Sequence, residues 1–400
     1  MTVDEHPSPT PLFAPGVAKF EEILTPKSEA LWHFDNFDRQ REKARFHRGE
    51  ADGHEFWMFT TMEDIRSAFQ HHERFSNTAI VIGQPEPLFQ LIPEMLDPPL
   101  HTTWRQLLAP TFSPAAVNAL EPRVREVMGE ILDDVAPKGR CDFIAEVALR
   151  LPNTVFMGIM GLPVSDAAQF QVWEKAMLHN VLGDEVSVAT MLEVVGYFVE
   201  LIAQRREDPR DDLVSRALTW QIDGEPIRDQ DLLAMCLLLF MAGLDTVAMQ
   251  LSYAFLHLAR HDDDRRRLVA DPSLIPRATE EFVRYYSFVT PGRKVVQDGT
   301  HNGCPVKAGQ MVYLPTPAAN RDPQAFADAD RFILDREVNP HIGFGAGPHR
   351  CLGSHLARKE MHIALQMWHE RVPDYRVGDW EPIVEHGALI GLDNLPLAWD

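Results

Sequence analysis

The chain has 400 residues, 45% of them hydrophobic and 24% charged, which is the composition of a globular protein with a large core. Acidic side chains outnumber basic ones 59 to 38, and the net charge of -21 argues against nucleic acid or an anionic membrane as a bulk partner. Cys141, Cys236, Cys304 and Cys351 follow no repeating spacing and read as free thiols of a reducing compartment, and Met1 to Pro15 lacks a basic-then-apolar leader, so a soluble, cytoplasmic protein is expected.

Taken in chain order, the first 20 or so residues are polar and proline-rich and are expected to lie extended on the surface. His54 to Thr60 reads as a strand. Val117 to Val135 places Val117, Leu120, Val124, Met128, Ile131 and Leu132 on one helical face. Leu232 to Leu244 carries no charge, yet is shorter than the roughly 20 residues a membrane span needs. It is expected to be a central core helix, entered through Asp229 and Asp231 and continued by Leu251 to Leu258. Lys294 to Val296 and Gln310 to Leu314 are short strands of a small sheet. No stretch reads as a linker or repeat, and the expected class is mainly α with minor β.

The segment His341 to Glu360 reads HIGFGAGPHRCLGSHLARKE. Gly343, Gly345, Gly347 and Pro348 predict a tight loop, and the apolar spacing after Cys351 predicts a helix that begins at that cysteine. A thiol there should be acidified by the helix dipole, while Gly353 leaves room for something flat against the backbone. Three readings stay open on these residues alone. A lone cysteine beside a glycine is most often a small buried hydrophobe. Zinc could use His349, Cys351 and His355, but that is only three ligands. Haem iron takes a single axial thiolate; a dinucleotide loop fails on glycine spacing.

The whole string resembles the haem-binding signature of the cytochrome P-450 family, Phe344-x-x-Gly347-x-x-x-Cys351-x-Gly353. Ala242-Gly243-Leu244-Asp245-Thr246 is similar to that family's oxygen-activation motif. Glu281-Phe282-Val283-Arg284 is similar to its Glu-x-x-Arg pair, with Arg336 completing a structural triad. Asn320-Arg321-Asp322-Pro323 and Asp97 to Arg105 also match soluble bacterial members. Within the family the closest resemblance is to camphor-hydroxylase-type enzymes, through Gly243 to Val247 and the ending Leu395 to Asp400.

The resemblance implies a single haem domain over residues 1–400, helix-rich with a smaller β-containing N-terminal region and no fused reductase or ferredoxin. It implies haem b ligated by the Cys351 thiolate and shielded by Phe344 and the N–H groups around Gly353. The propionates would be held by His101 and Arg105 from one side and Arg293 and His349 from the other. Asp245 and Thr246 would relay protons during oxygen activation. A structural role for both is compatible with this, since Thr246 can bond the carbonyl of Ala242. Phe89, Leu238, Met241, Ala242, Val289 and Leu389 fall where relatives line the substrate pocket. Phe89 replaces the tyrosine of camphor enzymes and Pro291 an aspartate near Arg293, so camphor itself is not the expected substrate. The implied reaction is hydroxylation of a small hydrophobic, terpenoid-like molecule by O2. Electrons would come from a separate ferredoxin and its NAD(P)H-dependent reductase. Fatty acid, steroid or aromatic substrates, or a non-catalytic haem sensor, are the alternatives. A basic patch of Arg350, Arg358, Lys359 and Arg105 is the expected ferredoxin dock.

Overall fold

The computed structural model describes residues 10–87, 89–178, 185–387 and 389–400. The expected absence of a leader falls largely on residues 1–9, outside the described residues. From Phe13 onward the N-terminal segment is not a loose surface arm. Phe13–Lys19 (β1) pairs in parallel with Phe46–Ala51 (β2), and Phe13 tilts against Phe46 and Trp57. β2 turns back antiparallel onto His54–Phe59 (β3). Phe75–Ser76 (β4), Gly292–Val295 (β5) and Met311–Tyr313 (β6) complete a six-stranded sheet in the order β1-β2-β3-β6-β5-β4. Strands far apart in sequence are thus neighbours, which short apolar runs do not announce.

Helices form the rest of the body. Those that position the site are Leu100–Leu108 (α1), Pro114–Val135 (α2), Arg150–Met160 (α3), Ala167–Leu178 (α4), Glu185–Glu207 (α5), Asp229–Gly243 (α6), Asp245–Arg260 (α7), Ile275–Tyr285 (α8) and Ser354–Arg371 (α9). Local chemistry sets their ends. Ser113 caps α2 by accepting from the Ala116 N–H, and Pro114 occupies the first turn, where a missing N–H costs nothing. Thr61 likewise caps Met62–Gln70.

α6 and α7 run almost end to end from Asp229 to Arg260, so the charge-free stretch belongs to a span of 32 residues rather than a short helix. This span and Val186–Glu207 are long and apolar enough to cross a membrane, by length and composition. Over half of the Asp229–Arg260 window is buried inside the fold, and α7 packs nearly every residue from Val247 to Ala259 into the core. Tyr253 stacks on Tyr286 and donates to the Glu385 carboxylate at 2.7 Å. Glu385 also accepts from the backbone N–H groups of Leu31 and His33, both at 3.1 Å, tying both ends of the chain to this helix.

α9 carries an unanticipated acid. Glu360 is 1% exposed, its Oε1 has no hydrogen-bond partner among the described residues, and burial pushes its carboxyl up to about 8. A raised carboxyl is protonated in both folded and unfolded chains below about pH 4.5. Between there and pH 8 only the folded chain holds the proton, so stability falls as pH rises. Glu360→Gln should therefore gain stability relative to the parent by roughly 3–4 kcal/mol between pH 5 and pH 8. Urea unfolding of both proteins at the two pH values checks this; a difference independent of pH contradicts it.

Candidate active site

The glycine loop is held by close backbone contact. Gly347 has φ +71°, and a Cβ there would lie 2.4 Å from the Phe69 carbonyl oxygen and 2.9 Å from Gln70 Cα, so only glycine lets the loop seat against that helix end. The Cys351 N–H donates to the Phe344 carbonyl at 2.8 Å, and the Arg358 guanidinium lies 4.4 Å over the Phe344 ring. The helix itself begins later than its apolar spacing predicts: Gly353 is the N-cap and Ser354 the first residue of α9. No atom lies within 4 Å of a Cβ built on Gly353, which leaves the backbone open there.

Cys351 is exposed, whereas Cys141, Cys236 and Cys304 are buried. It is nevertheless closely surrounded by protein groups. Its thiol lies above its ordinary range, contrary to the acidification expected of a helix start. Burial outweighs the Gly353 N–H and the positive charges of Arg105 and Arg358, and Glu94 adds to it. A single backbone donor does not make up for lost solvent. Burial raises the other three thiols too, Cys236 and Cys304 to about 12.

Beside this loop a set of buried cations and imidazoles converges from three elements. The rings of His101 on α1 and His349 in the loop are 3.8 Å apart. His101 Nδ1 and both ring nitrogens of His349 have no hydrogen-bond partner among the described residues. Arg293 on β5 is 3% exposed; it donates to its neighbour's carbonyl at Gly292 and lies over the Phe69 ring. Arg105 donates to the Arg350 carbonyl at 2.7 Å, next to Cys351. Burial, then the charges of His349 and Arg105, push His101 down to about 4, so it is neutral at pH 7. Burial also lowers the Arg105 and Arg293 guanidiniums.

One anion sits among them that sequence reasoning missed. Burial alone would raise Glu94, but His349, Arg293 and His101 hold its carboxyl below the usual range. Its Oε2 is 3.8 Å from His349 Nδ1, and Asn77 donates to its Oε1 at 3.1 Å. The signal lay three residues before Asp97, whose carboxylate accepts from Ser76 and the Asn77 N–H. Even with Glu94 present, imidazole nitrogens of His101 and His349 are left without partners among the described residues. Such a set fits a group bearing two carboxylates, and the accessible thiol beside it fits an axial sulfur ligand. By contrast, no group of three His, Cys, Asp or Glu side chains that could hold a metal ion occurs among the described residues, so the zinc reading has no geometry behind it.

The α6–α7 junction supplies the other chemistry. Gly243 closes α6 and Asp245 opens α7. A Cβ on Gly243 would lie 2.8 Å from the Phe156 ring, so this glycine is needed for α3 to approach. Thr246 Oγ1 donates to the Ala242 carbonyl at 2.9 Å, while Asp245 is fully buried. Leu238, Ala242 and Thr246 are spaced four apart on one helical face. Ala242 is exposed on that face although Phe240 and Leu244 beside it are fully buried. Leu238 and Met241 pack on the helical core, and Val289 and Leu389 on the larger core beneath the sheet. Phe89 departs from the expected wall. It is 45% exposed and, among the described residues, joins neither core.

Away from this face, Glu281 and Arg284 of α8 pair at 2.7 Å with neither side chain exposed, and the Arg336 Nε approaches the same carboxylate at 3.0 Å. Ile333 N–H and Asn339 also donate to Glu281, and Arg284 donates to three backbone carbonyls, of Asn320, Ala329 and Arg331. Two members of the expected basic patch are used internally. Arg358 grips Glu280 at 2.5 and 2.8 Å, and Lys359 bonds Glu121 at 2.6 Å. Arg350 is exposed and has no ion-pair partner among the described residues.

Known proteins match this arrangement along most of the chain. A family model described as Cytochrome P450 matches residues 187–368. A probable cytochrome P450 127A1 of Sinorhizobium fredii is 34% identical, over 87% of this chain and 84% of that protein. The mycinamicin IV hydroxylase/epoxidase of Micromonospora griseorubida is 33% identical, over 87% and 90%. The crystal structure of CYP101J2 superposes with a TM-score of 0.86 at 30% identity, covering 97% of this chain and 98% of that one. With its thiol loop, its cluster of buried donors and its acid–alcohol helix accounted for, the chain belongs to the cytochrome P450 family of haem-thiolate monooxygenases.

Proposed function

We propose that this monooxygenase hydroxylates a small hydrophobic, terpenoid-like substrate, with Cys351 as the axial ligand of haem b. The observation that carries the assignment is the convergence of His101, Arg105, Arg293 and His349 beside the accessible thiol, with imidazole nitrogens of both histidines left without partners among the described residues. These four side chains would hold the two haem carboxylates. Phe344 and the open backbone at Gly353 would border the sulfur. When bound, the haem supplies dioxygen activation, with the thiolate favouring O–O cleavage. Asp245 and Thr246 deliver protons during that activation: the Thr246 hydroxyl, now given to the Ala242 carbonyl, can instead be turned toward the site, and Asp245 resupplies its proton. Leu238, Met241, Ala242, Val289 and Leu389 would wall an apolar pocket, which suits a hydrocarbon skeleton.

Residues 1–400 read as one haem domain, and in this reading a separate ferredoxin and its NAD(P)H-dependent reductase supply the electrons in the cytoplasm. A haem spin-state screen tests the substrate class. Cyclic monoterpenes should shift the spin state at lower concentration than fatty acids, steroids or planar aromatics; preference for any of those classes rejects the terpenoid reading. Arg350 is the proposed docking contact. Arg350→Glu should raise the apparent KM for ferredoxin several-fold and leave the substrate-induced spin shift unchanged. Reduction of the parent should weaken with salt, given a Debye length of about 10 Å at 0.1 M. Salt-independent reduction together with a silent Arg350→Glu moves the dock elsewhere.

A further inference from the structure

α8 carries two consecutive acids that serve different neighbours. Glu281 turns to Arg284 and Arg336, whereas Glu280, on the adjoining helix face, reaches the thiol loop and α9. The Glu280 carboxylate accepts from Arg358 Nε at 2.5 Å and Nη2 at 2.8 Å, a two-pronged pair, and from His341 Nε2 at 3.0 Å. The Gly343 N–H donates to His341 Nδ1 at 3.2 Å, which reserves that nitrogen as an acceptor and leaves the ring proton on Nε2, facing Glu280. Gly343 is itself pressed onto α8: a Cβ there would lie 2.6 Å from Val283 Cγ1 and 2.7 Å from the Val283 carbonyl oxygen. From α9, Arg358 places its guanidinium 4.4 Å over the Phe344 ring, well within cation–π range, and its Nη1 donates to the Ser354 carbonyl at 3.2 Å. Glu280 thus holds Phe344 from two directions, by its ring and by the backbone beside it. Burial alone would raise the Glu280 carboxyl, but the bonds from Arg358 and His341 hold it at about 2, so it is an anion at neutral pH.

We propose that Glu280, with Arg358 and His341, forms a charge-balanced clamp on the Phe344 side of the thiol, and that this clamp sets the reduction potential of the iron held by Cys351. The inference rests on the proposed ligation by Cys351. Phe344 is the link to the sulfur, because its carbonyl accepts the Cys351 N–H at 2.8 Å while its ring carries the guanidinium. The positive charge of Arg358 also acts on the Cys351 sulfur directly, in the direction that favours the thiolate. Paired with the Glu280 anion, that charge is largely cancelled at the sulfur. Removing the carboxylate leaves a bare cation, which stabilises the extra electron of the ferrous state and raises the potential. Removing the guanidinium leaves a bare anion, which lowers it. A packing role makes a different forecast, since either change loosens the same ring and would move the potential in one direction. Glu280 and Arg358 touch neither substrate nor iron, so both are positioning residues.

The test is a redox titration of the full haem-loaded chain without substrate, read by absorbance, for the parent, Glu280→Gln, Arg358→Met and the double variant. The two side chains are 30% and 20% exposed, so neither change strands a fully buried charge. Glu280→Gln should shift the ferric–ferrous equilibrium several-fold toward ferrous, and Arg358→Met several-fold toward ferric. The double variant should lie between them, near the parent. Glu280→Asp, which keeps the charge, should stay closer to the parent than Glu280→Gln and serves in its place if the glutamine variant does not fold. The ferrous–carbon monoxide spectrum of each protein is recorded alongside and should keep the red-shifted band of the parent. Shifts of the same sign in both single variants, or no shift in either, with that band intact, overturn the clamp and leave Cys351 as ligand. Absence of the red-shifted band from the parent places the failure in the Cys351 ligation itself, and the inference falls with it.

Discussion

Glu281→Ala is expected to cost on the order of 3–5 kcal/mol of stability, because it strands two guanidiniums around an empty carboxylate position. Arg284 is completely buried and Arg336 nearly so, and neither can shed its charge. Two of the carbonyls that receive Arg284, of Ala329 and Arg331, belong to the irregular stretch before the thiol loop, so the damage reaches the site from behind. Against a typical total of about 5–15 kcal/mol, such a loss leaves little folded protein at 37 °C. Urea unfolding should show a much lower midpoint, and replacing both partners with apolar residues of similar volume (Glu281→Leu with Arg284→Met) should recover part of the deficit. A midpoint unchanged in Glu281→Ala contradicts a network in which the carboxylate carries the charge balance.

Thr246→Ala should leave haem and substrate binding intact while reducing equivalents drain into hydrogen peroxide, and Asp245→Asn should slow turnover. General acid–base groups contribute typically ~10²–10⁴-fold, which sets the scale of the loss in product-forming rate. The structural alternative has a distinct outcome. The bond from Thr246 to the Ala242 carbonyl loosens the helix ladder where α6 gives way to α7, so a purely structural threonine would be read in stability and spin shift, not in coupling. Measuring NADH consumed against product and peroxide separates the two. Unchanged coupling in both variants reduces the pair to helix architecture and favours a ligand-sensing haem protein.

What was legible in the sequence follows from which interactions are local. The Glu281–Arg284 pair is three residues apart on one helix, and the Gly347-to-Cys351 loop is continuous, so both could be read directly. The α2 helix declared itself by the periodicity of Val117 to Val135. The six-stranded sheet could not, since β3 and β6 pair across more than half the chain and each is too short to alternate convincingly. Thiol acidity was misjudged because a dipole argument is local whereas burial is not. Glu94, Glu174 and Glu360 look like ordinary surface acids in the sequence; only tertiary packing buries Glu174 and Glu360 and sets the partly buried Glu94 among cations. Arg358 and Lys359 erred in the opposite sense, reading as free charges until Glu280 and Glu121 arrived from other helices.

The most direct test of the account is the absorption spectrum of the reduced, carbon monoxide-treated protein, compared between parent and Cys351→Ser. A thiolate from Cys351 predicts a strongly red-shifted Soret band in the parent and its disappearance in the variant. If the variant keeps the parent's red-shifted band, the sulfur on the iron is not that of Cys351 and the site described here is not the haem site.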